Sequence, residues 1–408
     1  MRIALACHNF PPEFTGGTER VVAALARALT ASGDAVVVVT GSEAPHAGRD
    51  VVTETGLGID VRRLPRHRDE VYGLDLRRPR VLTLVEDLLM ETGAEVLHVH
   101  HWSALSVRLV RSARVLGLGT VVTLHDMWTS CGRFFRRPPE GILCPSGAGR
   151  AECVPCGARD LPIPPERIAR GIWYRDREIA AELAAAHTLT APSASCAALV
   201  REHVPWSGPI EVVPHGLLEP VGRGHDRERP ARPFRVGTFG NLLREKGVSV
   251  LLEAMAGVPV AELHLHGPVL QPAYQQELLA RAQQLGVRLH LHGAYRAETE
   301  HPAEHLDLAV FPSLCAETYG LVVEEALARG VPVVVSALGA LSERIGGAGV
   351  VVPAGEVRPL RAAIQRLVQQ PAAYAQLVAA IPAEFPTIAT AAARYREFYA
   401  RARQQVSR

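Results

Sequence analysis

Short apolar runs alternate with segments of helical period through the first half of the chain. Runs at Arg2–His8, Ala35–Thr40, Val96–His100, Thr120–Leu124, Thr188–Ala191 and Glu211–Pro214 read as strands. Helix-period segments lie between them. In Glu19–Ala31, the side chains of Val21, Val22, Leu25, Ala28 and Leu29 share one face, and Thr18 stands where a capping hydroxyl is expected. Apolar strands alternating with amphipathic helices predict a parallel sheet covered on both faces.

A polar stretch rich in Pro, Gly and Arg, from Leu217 to Pro233, interrupts the pattern and reads as a linker. The alternation then restarts with strand Arg235–Phe239, helix Gly247–Ala256, strand Glu262–His266, helix Ala273–Leu285 and strand Arg288–His292. Strand Leu308–Pro312, helix Leu321–Arg329 and strand Val331–Ser336 follow. The predicted organisation is a domain over 1–216, a linker over 217–233, a second domain over 234–385 and a C-terminal helix over 386–408. In that helix Tyr395, Phe398 and Tyr399 form one stripe, suited to packing back on the first domain. The fold class is α/β, with two Rossmann-like, doubly wound domains and a cleft between them; ligands of such sheets sit outside the carboxyl ends of the strands.

Composition narrows the function. At 408 residues with 48% hydrophobic residues and a formal charge of +2, the chain is long enough for two cores and carries no global field suited to nucleic acid. No apolar run reaches the ~18 residues of a membrane span. The N-terminus, MRIALACHNF, reads as a first strand rather than a signal peptide, which points to the cytoplasm. The seven cysteines are an odd number, and without an export signal reduced thiols or a metal site are expected over a disulfide framework.

Three loop segments carry candidate chemistry. Gly16-Gly17 follows the first strand, just before a helix, where backbone N–H groups can approach an anion. The dinucleotide fingerprint GxGxxG is absent, which argues against a nicotinamide enzyme. The stretch from Gly240 to Gly247 holds the same topological place in the second half, and its Arg244 and Lys246 can neutralise a diphosphate. In Glu317-Thr-Tyr-Gly-Leu-Val-Val-Glu324-Glu325, Gly320 marks a loop-to-helix transition, placing Glu317 in the loop and Glu325 in the helix. Carboxylates on either side of a helix N-terminus can grip sugar hydroxyls while the N–H groups between them hold phosphate.

Together, the Gly16-Gly17 loop, His125-Asp126, Lys246-Gly247 and the E-x7-E element from Glu317 to Glu325 resemble the family 4 glycosyltransferases of GT-B fold, over nearly the whole chain. The resemblance implies retaining transfer of a sugar from a nucleoside-diphosphate donor, UDP- or GDP-linked, in an interdomain cleft and without a catalytic metal. It implies that Lys246 binds the diphosphate, Glu317 contacts the donor sugar, Glu325 holds the ribose, and His125 lies near donor sugar and acceptor. His125, Glu317 and Lys246 are the implied catalytic set. Gly16, Gly17, Asn241, Arg244, Tyr319, Gly320, Leu321 and Glu325 complete the donor-binding set, with the N–H groups near Gly320 and Leu321 on the diphosphate. Asn241 departs from the family's frequent arginine five residues before the lysine, and Arg244 is the candidate replacement. His215 stands where the family commonly has asparagine.

The insertion over about 126–160 holds Cys131-x12-Cys144-x8-Cys153-x2-Cys156, a set that suits a tetrahedral structural zinc. An iron–sulfur cluster, unligated thiols and a pair of disulfides are the alternatives. Arg133, Arg136 and Arg137 in the same insertion read either as a solvated basic loop or as a draw for a phosphorylated or lipid-diphosphate acceptor, with peripheral membrane contact. His98, His100 and His101 are expected to pack and hydrogen-bond on the acceptor side rather than ligate metal. Acceptors in reach of this chemistry are small molecules, glycans or lipid-linked species. The rival functions are a nucleotide-sugar epimerase on the same fold and a weakly catalytic binding subunit.

Overall fold

The computed structural model describes residues 1–56, 58–66, 74, 76–138, 141, 144, 150–204, 206, 208–219, 221, 233–297 and 299–406. Most of the predicted linker (residues 222–232) and much of the cysteine insertion between 139 and 149 lie outside these described residues. The chain divides into two compact units: one of Met1–Pro139, Cys144–Leu218 and Pro386–Arg408, the other chiefly Glu219–Phe385.

The first unit begins with β1 (Arg2–Cys7), α1 (Gly17–Ala31), β2 (Ala35–Ser42), β3 (Val52–Gly56) and β4 (Ile59–Pro65). It continues with α2 (Pro79–Glu91), β5 (Val96–Val99), α3 (Leu109–Val115) and β6 (Gly119–Thr123). Then come α4 (Cys153–Ala158), α5 (Pro165–Ala185), β7 (Thr188–Ala191), α6 (Ala194–His203) and β8 (Glu211–Val212). Among the described residues these strands form one sheet in the order β3-β4-β2-β1-β5-β6-β7-β8, parallel except where β3 meets β4. Alternate strand residues feed two cores. Ala4, Ala6, Leu97, Val99 and Val122 pack on one face, and Ile3, Leu5, Val38, Val96 and Val121 on the other.

Helix α1 opens earlier than the sequence pattern predicts. Gly16 is its N-cap residue, with extended backbone, so Thr18 lies inside the first turn and caps nothing. The predicted hydroxyl cap is therefore corrected: no side chain bonds the first turn from the cap position. The hairpin β3–β4 also escaped the pattern, because Thr53, Glu54, Arg62 and Arg63 break its apolar run. Arg63 is nonetheless buried there, bonded to Glu54 Oε2 at 2.7 Å and to the carbonyl of Pro11 at 2.8 Å.

The second unit contains β9 (Phe234–Phe239), α7 (Val248–Met255), β10 (Ala261–His266), α8 (Pro272–Leu285), β11 (Leu289–Gly293) and β12 (Leu308–Phe311). It then adds α9 (Leu321–Ala328), β13 (Val333–Ser336), α10 (Leu341–Arg344), β14 (Gly349–Val352), α11 (Val357–Gln369) and α12 (Pro371–Ala379). Its strands pair in parallel in the order β11-β10-β9-β12-β13-β14. Both units are thus Rossmann-like α/β layers. In this second sheet β11 is an edge strand.

The last helix, α13 (Ile388–Val406), belongs to the first unit. Its residues Ala391, Ala392, Tyr395, Phe398 and Tyr399 are buried against Val22, Leu25 and Leu29 of α1 and the sheet. Among the described residues no helix is long and apolar enough to cross a membrane.

The phenol of Tyr399 meets His98 Nδ1 at 2.7 Å in this core. Tyr399→Phe keeps the packing but leaves a buried ring nitrogen without its partner, a loss of about 1–3 kcal/mol. A thermal melt should show a fall of several degrees in Tm, and an unchanged Tm would contradict this role.

Candidate functional site

In the second unit, the turn after β9 carries Lys246 and is pressed against the end of β12. Gly247 has φ +69°, and a Cβ there would run into the carbonyl oxygen of Pro312. Only glycine combines that backbone with that approach. The amide of Leu314 donates to the carbonyl of Glu245 at 2.7 Å and fastens the turn to the loop that follows β12. Within this frame, Lys246 Nζ donates to Glu317 Oε1 at 2.6 Å, and the hydroxyl of Ser313 donates to the same oxygen at 2.6 Å.

The backbone of Glu317 is fixed as well. It bridges to Gly339, where a side chain would collide with the carbonyl of Glu317, and that carbonyl accepts from Ala340 N at 2.8 Å. Burial would push the Glu317 carboxyl up, but Lys246 and the Ser313 hydroxyl overcome it and hold the group below the usual carboxylate range. Burial likewise works against the Lys246 ammonium, and Glu317 reverses it, so Lys246 is raised and charged. The arrangement is a half-buried cation already balanced by one carboxylate, with the N-cap residue of α9, Gly320, three residues downstream of Glu317.

Gly320 caps α9 with φ +87°, and a side chain there would strike Leu341. Tyr319 is buried and its hydroxyl donates to Glu324 Oε2 at 2.7 Å, while Arg344 Nη1 lies 3.4 Å from the other Glu324 oxygen. Burial raises Glu324, against the opposing pull of Tyr319 and Arg344. Glu325 is buried on the same helix, its Oε2 3.6 Å from His301 Nε2. The two acidic neighbours thus part company: Glu324 braces the loop, and Glu325 faces His301. Sequence reading missed the bracing by Arg344 and His301, which are distant in the chain and carry no motif.

Asn241 is exposed. Arg244 is turned toward α8: its Nη2 contacts both oxygens of Glu277 at 2.6–2.7 Å, and its guanidinium stacks 4.3 Å from the Tyr274 ring. The charge expected to substitute at Asn241 is therefore paired with Glu277, as Lys246 is paired with Glu317.

In the first unit, Gly16 and Gly17 form the start of α1, as described. A Cβ on Gly16 would press on the carboxylate of Glu19, which is itself buried and bonded by Asn9 Nδ2 at 3.0 Å. His125 follows β6 and is buried among imidazoles. Its Nε2 lies 2.7 Å from His100 Nδ1, and its ring stacks on His215 with centroids 5.0 Å apart. Burial pushes His125 down to about 4, with Asp126 opposing, so its ring is neutral at neutral pH and can accept or relay a proton but brings no fixed charge. The His98 ring is tilted at 36° against that of His100, with centroids 3.9 Å apart, and His98 is bonded to Thr123 Oγ1 at 2.7 Å as well as to Tyr399. His101 Nε2 is 3.5 Å from Asp126 Oδ2. A hydrogen bond thus joins His100 to His125, with His98 in ring contact with His100 and His101 beside Asp126.

The four insertion cysteines are half-buried and free. Cys144 and Cys156 are raised, first by burial and then by the neighbouring thiols, which marks the set as electrostatic neighbours. Among the described residues, however, the groups of three ligand atoms within 4.8 Å of one another consist of histidine and glutamate in the second unit. A metal on the thiols would have to draw the sulfurs closer. Arg136 is buried beside the thiols and Arg133 pairs with Asp160, so neither is a freely solvated charge.

Known proteins resemble this chain over both units. Residues 15–217 match the Glycosyltransferase Family 4 family, and residues 233–370 match Glycosyl transferases group 1. D-inositol 3-phosphate glycosyltransferase 1 of Catenulispora acidiphila is 29% identical over 388 residues, covering 88% of this chain and 83% of that protein. Sucrose-phosphate synthase from Thermosynechococcus elongatus has a similar fold, with TM-score 0.70 and 21% identity, covering 98% of each chain. Anabaena HepE in complex with UDP superposes with TM-score 0.65 at 20% identity, covering 100% of this chain and 98% of the other. The two matched segments together span both units, and the chain belongs to the family 4 type of glycosyltransferases.

Proposed function

We propose that this glycosyltransferase takes its sugar from a nucleoside-diphosphate donor, UDP- or GDP-linked, and transfers it with retention to a hydroxyl acceptor in the cytoplasm. The observation that carries the reading is the Lys246–Glu317 pair, set three residues before the N-terminus of α9. A half-buried ammonium and a helix N-terminus suit a diphosphate, and the carboxylate that balances the ammonium suits sugar hydroxyls. HepE has been solved with UDP and with UDP-glucose, which supports a uridine donor. The matched families and the named relatives are transferases, which favours transfer over epimerisation.

In this mechanism the bond from the anomeric carbon to the phosphate oxygen breaks as the acceptor oxygen attacks on the same face. The acceptor proton passes to the departing phosphate oxygen. Lys246 and the N–H groups of Gly320 and Leu321 stabilise the charge that develops on that phosphate, so no catalytic metal is needed. Glu317 holds the sugar as its shape and charge change, and Glu325 holds the ribose, which changes little. His125, neutral by burial, is assigned to the acceptor side.

These roles separate in kinetics. Glu325→Ala should raise the donor KM with little change in kcat, and Glu317→Ala should lower kcat by roughly 10²-fold, because only the sugar contact strengthens in the transition state. Full activity in both variants would contradict the assignment.

The insertion cysteines are read as one structural zinc site. Their loop has few large apolar residues, and zinc would supply the ordering energy, on the order of 10 kcal/mol for small structural modules. Cys153→Ser should lower zinc content by about one ion per chain and reduce transfer to acceptor while nucleotide binding persists. Visible absorption and iron content would point instead to a cluster, and full acceptor transfer by a zinc-free wild type would exclude the role.

A further inference from the structure

The outer edge of the second sheet carries a cluster that the donor chemistry leaves unused. On β10, Glu262, His264 and His266 alternate with Leu263 and Leu265, which face the core under α7 and α8. On β11, His290 and His292 alternate with Leu289 and Leu291 in the same way. The parallel register sets His264 beside His290, with an irregularity before His266. Period-two alternation on neighbouring strands therefore gathers four imidazoles and one carboxylate on one face of the edge.

Their geometry is close. His264 Nδ1 and His292 Nε2 are 3.0 Å apart, and the rings of His266 and His292 stack with centroids 3.9 Å apart at an interplanar angle of 3°. One ligand atom from each of His264, His266 and His292 falls within 4.8 Å of the others. His264 and His266 are both 7% exposed, and the Nε2 atom of each is buried without a hydrogen-bond partner. Two orphaned imidazole nitrogens side by side cost desolvation energy that a bound cation would recover. His292 is exposed, which leaves a path from solvent.

The surrounding charges are mixed. Arg235 acts on His264 and His292, and His301 and His305 act on His266, all opposing a cation. Glu262 favours one and forms a second close group with His264 and His290. That carboxylate is also bonded by Arg288 at 3.1 Å, so the set of three histidines is the better nucleus.

We propose that His264, His266 and His292 bind one divalent transition-metal ion of the zinc, nickel or copper class, clasping the edge strand β11 to β10. Imidazole donors select this class over magnesium or calcium, which prefer oxygen. The site is separate from the insertion cysteines and involves none of the residues assigned to the donor.

The test uses the full chain, purified without a histidine tag and stripped with EDTA. Zinc chloride is titrated by calorimetry and by thermal melt into the wild type, His266→Asn, His292→Gln and Cys153→Ser. His292 is exposed, so its variant keeps the fold if His266→Asn does not. The expected result is one more zinc bound by the wild type, which also has the cysteines, than by Cys153→Ser, and in both a zinc-dependent rise in Tm from the ion on the histidines. Both histidine variants should bind it more weakly by over ~10-fold, the minimum that losing even an outer-shell partner costs. Histidine variants that bind as much zinc as the wild type and as tightly, or a Cys153→Ser variant that binds none, would overturn the proposal.

Discussion

One close approach organises the second unit: the turn after β9 sits directly on the end of β12. Gly247 makes it possible, because any side chain would strike Pro312. Everything charged in the site depends on that seat. It brings Lys246 within 2.6 Å of Glu317, although the two stand 71 residues apart, and the pair settles both ionisation states against their burial. An ammonium buried without its carboxylate, or the carboxylate without its ammonium, would lose its charge or destabilise the fold. The pair is therefore both a structural clasp and a prepared charge, and a diphosphate arriving at Lys246 would compete with Glu317 for the same ammonium.

The first unit solves a different problem by a different means. Its strand ends carry neutral, buried imidazoles that hold one another by a hydrogen bond and by ring contacts. His125 is bonded to His100, the His100 ring is tilted against that of His98, and His98 is bonded to Tyr399 on the final helix. The C-terminal helix thus reaches the neighbourhood of His125 through side chains rather than through the backbone. Low local polarity keeps these rings uncharged, and a loss anywhere in the chain leaves a buried polar atom unmatched.

The parallel strands were legible because buried strands read as apolar runs, as in Val36–Val39 and Val333–Val335. The β3–β4 hairpin was not, since Arg63 is buried by pairing rather than by being apolar. The four-residue edge strand β14 was too short, beside glycines, to stand out. At the site, the residue types and their loop or helix placement could be read, including Glu317 before and Glu325 inside α9. Pairings across the chain could not: Arg244 with Glu277, Arg344 with Glu324, and His98 with Tyr399 are consequences of packing. The histidine edge was visible only as alternation, since a strand reading gives facing but not the partner strand.

The central claim is that a lysine and helix N–H groups, rather than a metal ion, carry the charge of a leaving nucleoside diphosphate. The most direct measurement follows nucleoside-diphosphate release from UDP-, GDP-, ADP- and TDP-sugars in EDTA, for the wild type and Lys246→Ala. At least one donor should turn over without added magnesium or manganese, and the variant should lose ~10²-fold or more in rate. Turnover abolished by EDTA and restored by magnesium, or a variant as fast as the wild type, would contradict it.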